Sequence, residues 1–570
     1  MRSDPAHDAI IACTERHQVV VAPPGTGKTH VAIRLAGVLG EQLPEYARVL
    51  LLTFSRQARS QLEREARRQL TSQQRGQIEI TNYHRFCSQA VNAYKRALGL
   101  PDTLDLGSSR RRGLALKASS PDGWKEVKAH TGLCDSLAEH AYDVFRDHRT
   151  PSAELLEPLL AAVGAEHRAG RLVFDDFGAL WWQLMETQPS IARAYAARYP
   201  VVIADEHQDA SGLQDALVRR LGQQRLVVLA DYMQLIHGFR GADIDRLRAH
   251  WRDCSARHEL STPHRWHGRD VEGQWLLACR SRLSDQPAAA ARPSGLRRIG
   301  FAGEHGLNGA LFGLKTTVPA LFAAGHATVA VLARDNDDLA RIRNYLIKNG
   351  MHPRQLGGPK DFEEAREDIE QLPLLTDPHS VVLYAHERLL KIVPSVPKTV
   401  ADQVKRRLKP DGPDTVRARV EAASLVAAFQ PIYDHGPSGY FQAMDALLGV
   451  CRDLGYHLPR SDAARTIRET AAALAPDCDL DAAVATYSQQ IASNAHRPPQ
   501  PNDRGLFVMT VHQSKGKEFD AIVMGPLDAR RWPDDAENRR LLYVGLTRAT
   551  RSWILLVPSA GSSPLLALLP

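Results

Sequence analysis

The chain has 570 residues, of which 44% are hydrophobic and 24% charged, an ordinary globular composition with apolar material for about three or four domains. Its net charge of +7 is typical of proteins that bind a polyanion but identifies no partner. No secretory signal is visible at the start, and no apolar run reaches the roughly 20 residues of a membrane span. Seven widely spaced cysteines without a Cys-x-x-Cys pair argue against a zinc site or a disulfide framework. We therefore expect a cytoplasmic protein with no membrane partner.

In chain order, short β-branched runs predict buried parallel strands, most of them apolar on both faces. Helical patterns such as 29–39 and 56–70 follow several of these runs, and this alternation favours a doubly wound α/β domain. The predicted strands of this first region are 19–22, 49–54, 78–81, 201–205 and 226–230.

A helical, polar pattern replaces the strand signal between the third and fourth of these strands and predicts a helical insertion at 87–199. A linker is predicted at 284–295, and a second alternating region follows it. The strands predicted there are 327–333, 506–511, 521–524 and 553–557. We thus predict an α/β fold with one domain at 1–86 and 200–283, a second at 296–372 and 503–570, and a second helical insertion at 373–502.

The first predicted strand runs into a nucleotide-binding pattern. It matches G-x-x-x-x-G-K-[ST] except at its first position, and its residues are Ala22, Pro23, Pro24, Gly25, Thr26, Gly27, Lys28 and Thr29. Gly25 and Gly27 would let backbone amides surround phosphate oxygens, Lys28 would reach the β- and γ-phosphates, and the Thr29 hydroxyl would bind Mg²⁺. The alternative is an incidental glycine-rich turn between a strand and a helix.

Two acids end the fourth predicted strand, where a phosphate-binding loop needs a carboxylate on the metal side. We expect Asp205 to hold Mg²⁺ through water and Glu206 to orient or deprotonate the attacking water. Paired acids at a strand end can instead cap a following helix. On the catalytic interpretation, the chain hydrolyses a nucleoside triphosphate.

Further motifs are more specific than the phosphate loop. The segments that carry them are DEHQD at 205–209, ADYMQLIHGFRGA at 230–242, TVHQSKGKEF at 510–519, ENRRLLYVGLTRA at 537–549, LLTFS at 51–55 and TNYH at 81–84. Taken in chain order, they resemble the motifs of the UvrD/Rep/PcrA-like superfamily 1A DNA helicases. The resemblance implies two RecA-like P-loop NTPase domains with ATP between them. The domains 1A and 2A then correspond to the two predicted α/β domains, and the insertions 87–199 and 373–502 to 1B and a reduced 2B.

The resemblance also implies roles for residues outside the phosphate loop. Gln234 would sense the γ-phosphate, and Arg265 and Arg548 would act as arginine fingers that neutralise charge on the transferring phosphoryl group. Glu518 would meet the ribose or its neighbourhood. For each arginine alone, a surface salt bridge is the alternative.

Residues that match the family's contacts to single-stranded DNA form a larger set, in which aromatic side chains would stack on bases and polar ones would hold the strand. These residues are Phe54, Arg56, Thr81, His84, His237, Phe239, Arg240, Thr510 and His512. Outside such motifs a lone Phe or His is more often part of a core.

Three positions that touch the adenine in relatives depart from the family in the same way. His7 stands where the family has Gln, His30 where it has Arg, and His264 where it has Tyr. Because His cannot read the adenine edge in the bidentate way of Gln, we hypothesise relaxed base specificity. The alternative is a pocket that simply repacks.

Together these features predict an ATP- and Mg²⁺-dependent motor that moves 3′→5′ on single-stranded DNA and acts at duplex junctions, in DNA repair or anti-phage defence. With about 130 residues in its second insertion, the compact chain is similar to the helicase subunit of the Gabija defence system, which works beside a nuclease partner. The alternative is a DNA-sensing ATPase subunit that regulates such a nuclease with little unwinding of its own. A third interpretation is that the protein remodels RNA.

Overall fold

A computed structural model describes residues 4–106, 109–129, 133–144, 150–238, 241–301, 307–351, 353, 368, 372, 375, 377–393, 395–408, 416–456, 462–475, 478–495 and 505–570. The chain divides into two compact units, 1–353 with 504–570, and 354–503. The predicted second insertion lies within the second unit.

Parallel pairing dominates the first unit. In chain order its strands are β1 His17–Val21, β2 Val49–Thr53, β3 Ile78–Asn82, β4 Asp105–Leu106, β5 Arg171–Leu172, β6 Val201–Ala204, β7 Arg225–Ala230, β8 Ala256–Glu259, β9 Leu296–Phe301, β10 Thr328–Ala333, β11 Gly505–Thr510, β12 Phe519–Met524 and β13 Ala549–Pro558. Six form a sheet in the order β3-β2-β6-β7-β1-β8, five form a second in the order β11-β10-β12-β13-β9, and β4 pairs with β5. All pairs within these sheets are parallel. The predicted fold of two parallel sheets flanked by helices is confirmed.

Helices connect and cover the strands. Those of the first unit are Pro5–Ala12, Lys28–Glu41, Arg56–Gln69, Ser72–Gly76, Tyr83–Ala93, Ser109–Ser119, Pro121–Ala129, Leu133–Tyr142, Ala153–Arg168, Asp176–Thr187, Pro189–Arg198, Gly212–Leu221, Ile244–Asp253, Asp270–Leu283, Leu307–Ala323, Asn336–Lys348, Val511–Ser514 and Ala536–Leu546. Those of the second unit are Pro378–Ile392, Lys398–Leu408, Val416–Ala427, Gln430–His435, Tyr440–Asp453, Asp462–Ala473 and Leu480–Ala495. Each helix in the described part of the chain is too short or too polar to span a membrane.

The central strands of the first sheet are buried on both faces, as their unbroken apolar sequences predict. In β2, Leu50 and Leu52 pack into a core that includes Trp181 of the first insertion. Val49 and Leu51 point the other way and pack under the helix Lys28–Glu41. This two-residue alternation places helical layers on both faces of the sheet.

Four strands were not predicted from the sequence: the two-residue strands β4 and β5, and two edge strands of the larger sheets. β8 has the sequence ARHE and β9 the sequence LRRIGF, and in both most residues are partly or fully exposed. An edge strand has one ladder partner and a solvated side, so it lacks the apolar run that marks a central strand. The segment 284–295, predicted as a linker, joins the first domain to β9 without helix or strand.

The helix Asp270–Leu283 lies in the first predicted domain by sequence, yet it packs on elements of the second sheet. Its buried Trp275 meets Trp553 of β13 edge to face, with 5.6 Å between ring centroids. Arg282 of the same helix donates to the carbonyl oxygen of Ala567 at 3.0 Å. The helix therefore joins the two sheets of the first unit physically as well as along the chain.

The second unit has its own apolar core, and a buried carboxylate lies inside it. Asp368 accepts hydrogen bonds from Tyr384 at 2.8 Å, Tyr440 at 3.2 Å and Tyr487 at 3.0 Å. Arg388 completes the set with an ion pair of 3.0 Å. Because three hydroxyls and a guanidinium surround this carboxylate, its burial is compensated by hydrogen bonds and an opposite charge.

A second buried carboxylate organises the first domain. Asp215 accepts from His207 Nε2 at 2.9 Å and from His250 Nε2 at 2.5 Å. Each histidine is held on its other nitrogen, His207 by the hydroxyl of Tyr83 at 3.1 Å and His250 by His17 at 3.1 Å. Burial acts to raise the pKa of Asp215, but the two histidines outweigh it and hold that pKa well below its usual value. Arg219 also forms an ion pair with this carboxylate.

We expect Asp215→Ala to destabilise the folded chain by about 3–5 kcal/mol, because it leaves two buried imidazoles without their shared acceptor. Urea unfolding measures the change. Asp253→Ala, at an exposed position, should shift the free energy of unfolding by less than about 0.5 kcal/mol. Equal shifts for the two variants would contradict the role assigned to Asp215.

Candidate functional site

The phosphate loop follows β1 and turns into the helix Lys28–Glu41. Gly25 and Gly27 have φ angles of 78° and 89°, in the left-handed region that side chains disfavour. The Thr26 hydroxyl donates to the carbonyl oxygen of Pro23 at 2.7 Å and closes the turn. The loop therefore has the backbone shape that a phosphate cradle requires, which supports the nucleotide-binding interpretation over an incidental turn.

A distant segment packs against this loop. The backbone N–H of Arg265 donates to the carbonyl oxygen of Gly25 at 3.0 Å. A Cβ on Gly25 would lie 2.6 Å from Cζ3 of the buried Trp266 and 2.8 Å from Cβ of Arg265. Glycine is thus required here both for its conformation and for the close approach of 264–266.

Lys28 points at the two acids that end β6. Its Nζ is hydrogen bonded to Glu206 and lies 3.6 Å from Asp205 Oδ1. Burial alone would lower the pKa of Lys28, but the two carboxylates outweigh it and the pKa is raised. Burial is also the main reason that the pKa of Asp205 is raised to about 6.

The same acids fit a divalent cation and a phosphate. Among the described residues, Asp205 Oδ1 is buried without a hydrogen-bond partner, as expected of an oxygen that receives a ligand. Glu206 has φ 54° and ψ 34°, a strained conformation for this residue, and its side chain makes no capping bond to the turn that follows. The helix-cap alternative is therefore not supported. Thr29, in the first turn of the helix, is the hydroxyl that could share the ion.

A chain of hydrogen bonds leads from these acids to Gln234. The side-chain amide of Gln208 donates to Glu206 at 2.5 Å, and its oxygen Oε1 accepts from the backbone N–H of Asp231 at 3.2 Å. The amide of Gln234 donates to Asp231 at 3.2 Å, and Arg280 holds the same carboxylate at 3.3 Å. Gln234 is thus fixed at the end of β7, between the strands that carry the acids and the phosphate loop.

The second sheet contributes a lysine to the same region. Lys515, after β11, forms an ion pair of 2.5 Å with Asp209 and donates to the backbone carbonyl of Gln234 at 2.6 Å. It also helps to lower the pKa of Glu206, an effect in which burial is opposed first by Lys28 and then by Lys515. The two sheets therefore meet across the predicted nucleotide site.

The two predicted arginine fingers lie beside one another. Arg265 pairs with Glu518 at 2.6 Å and donates to the carbonyl oxygen of Thr547 at 3.2 Å. Arg548 donates to the Thr547 hydroxyl at 2.7 Å and to the carbonyl oxygen of Val544 at 3.0 Å. Burial, and then the charge of Arg265, lower the pKa of Arg548 to about 10. The structure thus brings Arg265, Arg548 and Glu518 together, each with a protein partner.

The three histidines predicted at the adenine also lie together. His7 donates from Nε2 to the carbonyl oxygen of Thr26 in the phosphate loop at 2.9 Å. Its ring centroid lies 5.2 Å from that of His264 and 5.8 Å from that of His30. His264 Nε2 in turn lies 2.8 Å from Asp4 Oδ2.

Part of the predicted DNA-binding set forms an aromatic row. Phe54 stacks on His237 with 5.5 Å between centroids and 20° between planes, and His512 lies 6.4 Å further on. All three are partly exposed, and two come from the first sheet while His512 follows β11 of the second. Burial, and then the charge of Arg334, lower the pKa of His512, which favours its uncharged form.

Other members of the set are placed differently. Thr81 is buried, and the hydroxyl of Thr510 accepts from the backbone N–H of Gln513 in a capping box. His84 pairs with Asp175 at 3.3 Å. Phe239, Arg240 and the side chain of Arg56 lie outside the described residues.

Comparison with known proteins matches both halves of this architecture. Residues 3–255 match the UvrD/REP helicase N-terminal domain, and residues 505–556 match the UvrD-like helicase C-terminal domain. The chain belongs to the UvrD-like helicase family.

The similarity to individual helicases extends over nearly the whole chain. The ATP-dependent DNA helicase UvrD1 of Mycobacterium tuberculosis is 23% identical over 625 aligned residues, which cover 93% of this chain and 79% of that protein. UvrD1 of Mycobacterium leprae gives the same identity and coverage. The ATP-dependent DNA helicase PcrA of Staphylococcus aureus is 26% identical over 43% of this chain and 35% of its own length.

Several residues of this helicase's site received no role from sequence. Gln208, Asp209 and Lys515 stand within the motifs, so their signal was present, but only the structure shows what they contact. Asp231 follows β7, where an acid is as often a simple helix cap. Asp4 gave no signal, because its importance depends on His264, which lies 260 residues away.

We expect Gly25→Ala to lower the thermal stability of the helicase without nucleotide, by about 1–3 kcal/mol, because its Cβ meets Trp266 and its φ is positive. Calorimetry measures the shift. Gly300→Ala is the matched control, since a Cβ there meets nothing within 4 Å. A Gly25→Ala chain as stable as this control would show that the loop is not packed as described.

Proposed function

We propose that this protein is an ATP-dependent DNA helicase that moves 3′→5′ along single-stranded DNA. The observation that carries the proposal is the arrangement at the end of β6. A lysine of the phosphate loop and Lys515 of the second sheet converge on three carboxylates within five residues, those of Asp205, Glu206 and Asp209. Lysines from both sheets at one site can bind the same polyphosphate and so draw the two sheets together around it. The 3′→5′ direction follows the family and not a distance.

ATP would lie between the sheets, with its phosphates on the loop from Ala22 to Thr29. Thr29 and Asp205 would hold Mg²⁺, which supplies charge neutralisation to the phosphates when bound. Lys28 would exchange its carboxylate partners for phosphate oxygens. Glu206, released from Lys28, would then accept a proton from the attacking water or orient it.

The arginines would act after the sheets approach. Arg265 and Arg548 are anchored on Thr547 in this structure, and Glu518 holds the guanidinium of Arg265. A phosphoryl group in transfer would compete with these partners for the positive charge, and one finger is typically worth about 10³–10⁵ in rate. The hydrogen-bond partners of Arg548 are neutral oxygens, so Arg548 could leave them for a phosphate without leaving a carboxylate unpaired.

Coupling to DNA would pass through the end of β7. Gln234 contacts Asp231 with its side chain and Lys515 with its carbonyl oxygen, and His237 stands three residues further on. Phe54 and His237 offer a stacking platform for bases. A movement that breaks the hydrogen bond between Lys515 and Gln234 would therefore change the backbone close to this platform.

We expect Lys28→Ala to reduce ATP hydrolysis to background with and without single-stranded DNA, because the phosphates lose their only charged partner within the loop. A coupled-enzyme assay measures the rate. Lys348→Ala, at an exposed position, should hydrolyse ATP like the unaltered chain. Retained turnover in Lys28→Ala would refute the assigned site.

Strand displacement on the isolated chain separates unwinding from sensing. A tailed duplex with a 3′ single strand should be opened in the presence of ATP, and one with a 5′ tail should not. DNA-stimulated hydrolysis without displacement would instead favour a subunit that signals to a partner nuclease, the arrangement expected in a two-protein defence system. Competition between DNA and RNA strands in the same assay tests the choice of nucleic acid.

We expect Phe54→Ala to weaken binding of single-stranded DNA by about 1–3 kcal/mol, the usual loss for one stacked base. Hydrolysis without DNA should change little, because the ring of Phe54 stacks on His237, which is not part of the phosphate loop. Fluorescence anisotropy with a labelled oligonucleotide measures the affinity. Phe312→Ala is the matched control, since its ring is 71% exposed. Equal affinities for both variants would remove Phe54 from the DNA path.

We expect relaxed base specificity, since the Nε2–H of His7 donates to the carbonyl oxygen of Thr26 and is not available to a base edge. GTP and CTP turnover should fall within about 100-fold of that of ATP, the discrimination that a pocket achieves without dedicated hydrogen bonds. His7→Gln should then raise the preference for ATP. A strict requirement for ATP in the unaltered chain would sink the idea and leave a repacked pocket.

A further inference from the structure

We propose that Asp4, His7 and His264 form a binding site for a divalent transition metal of the Zn²⁺ class at the base end of the nucleotide pocket. His7 Nε2 lies 3.9 Å and His264 Nε2 2.8 Å from the same carboxylate oxygen, Asp4 Oδ2. One ligand atom from each residue lies within 4.8 Å of the others.

Local structure explains why the first two ligands face each other. Asp4 is the N-cap of the helix Pro5–Ala12 and accepts from the backbone N–H of Ala6 at 2.9 Å. His7 stands three residues after the cap, on the same side of the first turn. His264 arrives from the segment that packs against the phosphate loop. The ligands therefore come from two parts of the chain that the fold holds in place.

The donor set and its spacing suit the proposed ion. Two imidazole nitrogens and a carboxylate oxygen are common zinc ligands, and bonds of about 2.0–2.2 Å place ligand atoms about 3.4 Å apart in a tetrahedron. The observed separations from Asp4 of 2.8 and 3.9 Å bracket that value. His7 is 2% and Asp4 8% exposed, so the ion would be largely shielded, while the more accessible His264 leaves a way in.

His30 is not one of the ligands. Its Nδ1 lies 3.6 Å from a carboxylate oxygen of Glu65, on a different helix, and its ring centroid stays 5.8 Å from that of His7. A three-ligand site keeps a fourth position open, which a water molecule can take.

Metal binding would act on the phosphate loop through His7. The Nε2–H of His7 now donates to the Thr26 carbonyl oxygen. To ligate through Nε2, each histidine must carry its ring proton on Nδ1, so the hydrogen bond from His7 to Thr26 is lost. The phosphate loop then loses one of the hydrogen bonds that fix its backbone, and the ion occupies the base end of the nucleotide pocket. Zn²⁺ would therefore inhibit nucleotide turnover, a consequence that rests on the proposed ATPase.

Visible absorption of tetrahedral Co²⁺ tests the site directly on the full, metal-free chain. The unaltered protein should give this absorption at one Co²⁺ per chain, and Zn²⁺ should displace it. Asp4→Asn keeps a capping oxygen for the helix but removes the anionic ligand, and it should weaken Co²⁺ binding by more than the roughly 10–100-fold that loss of an outer partner costs. Asp8→Asn, in the same helix, is the matched control and should bind Co²⁺ like the unaltered chain.

A parallel ATPase measurement separates the two proposals. With Mg²⁺ in excess, Zn²⁺ should slow turnover by the unaltered chain and by Asp8→Asn, and should have little effect on Asp4→Asn. Failure of the unaltered chain to give the Co²⁺ absorption, or its persistence in Asp4→Asn, overturns the metal site whatever the ATPase rate. Loss of ATPase in every chain, with the Co²⁺ absorption intact, overturns the proposed function and leaves the metal site standing.

Discussion

The site depends on a balance of buried charge at the end of one strand. Asp205, Glu206 and Asp209 follow β6 within five residues, and three carboxylates in so little space repel one another. Lys28 from the first sheet and Lys515 from the second offset that repulsion. Since neither sheet supplies both lysines, the charge balance is complete only when the two sheets are together. These carboxylates are therefore also part of what holds the two sheets together.

The sequence predicted those parts of the fold that depend on a local pattern of residues alone. Central strands such as β2 and β7 are apolar on both faces, and the loop glycines Gly25 and Gly27 need a backbone shape that few other residues adopt. The edge strands β8 and β9 could not be predicted this way, because their partly exposed residues satisfy no such rule. The helix Asp270–Leu283 shows a further limit, since its packing on the second sheet depends on Trp553, far along the chain.

The candidate site could be predicted where a motif fixes both the spacing and the chemistry of its residues. It could not be predicted where a residue's role depends on contact with a distant segment. The three histidines His7, His30 and His264 were grouped by resemblance, and the structure places the ring of His7 beside those of the other two. Their neighbour Asp4 reads as an ordinary helix cap in the sequence. Likewise, nothing local shows that the backbone of Arg265 braces Gly25. Such contacts follow from tertiary packing and have no sequence period.

The place where the second unit leaves the chain has a consequence for modularity. It is inserted between β10 and β11, which are paired neighbours, with Thr328 beside Gly505. Along the chain, a whole folded unit is thus inserted at a single point, after the helix Asn336–Lys348 and before β11. Such an appendage can be exchanged, shortened or lost in evolution while every strand of the sheet keeps its register.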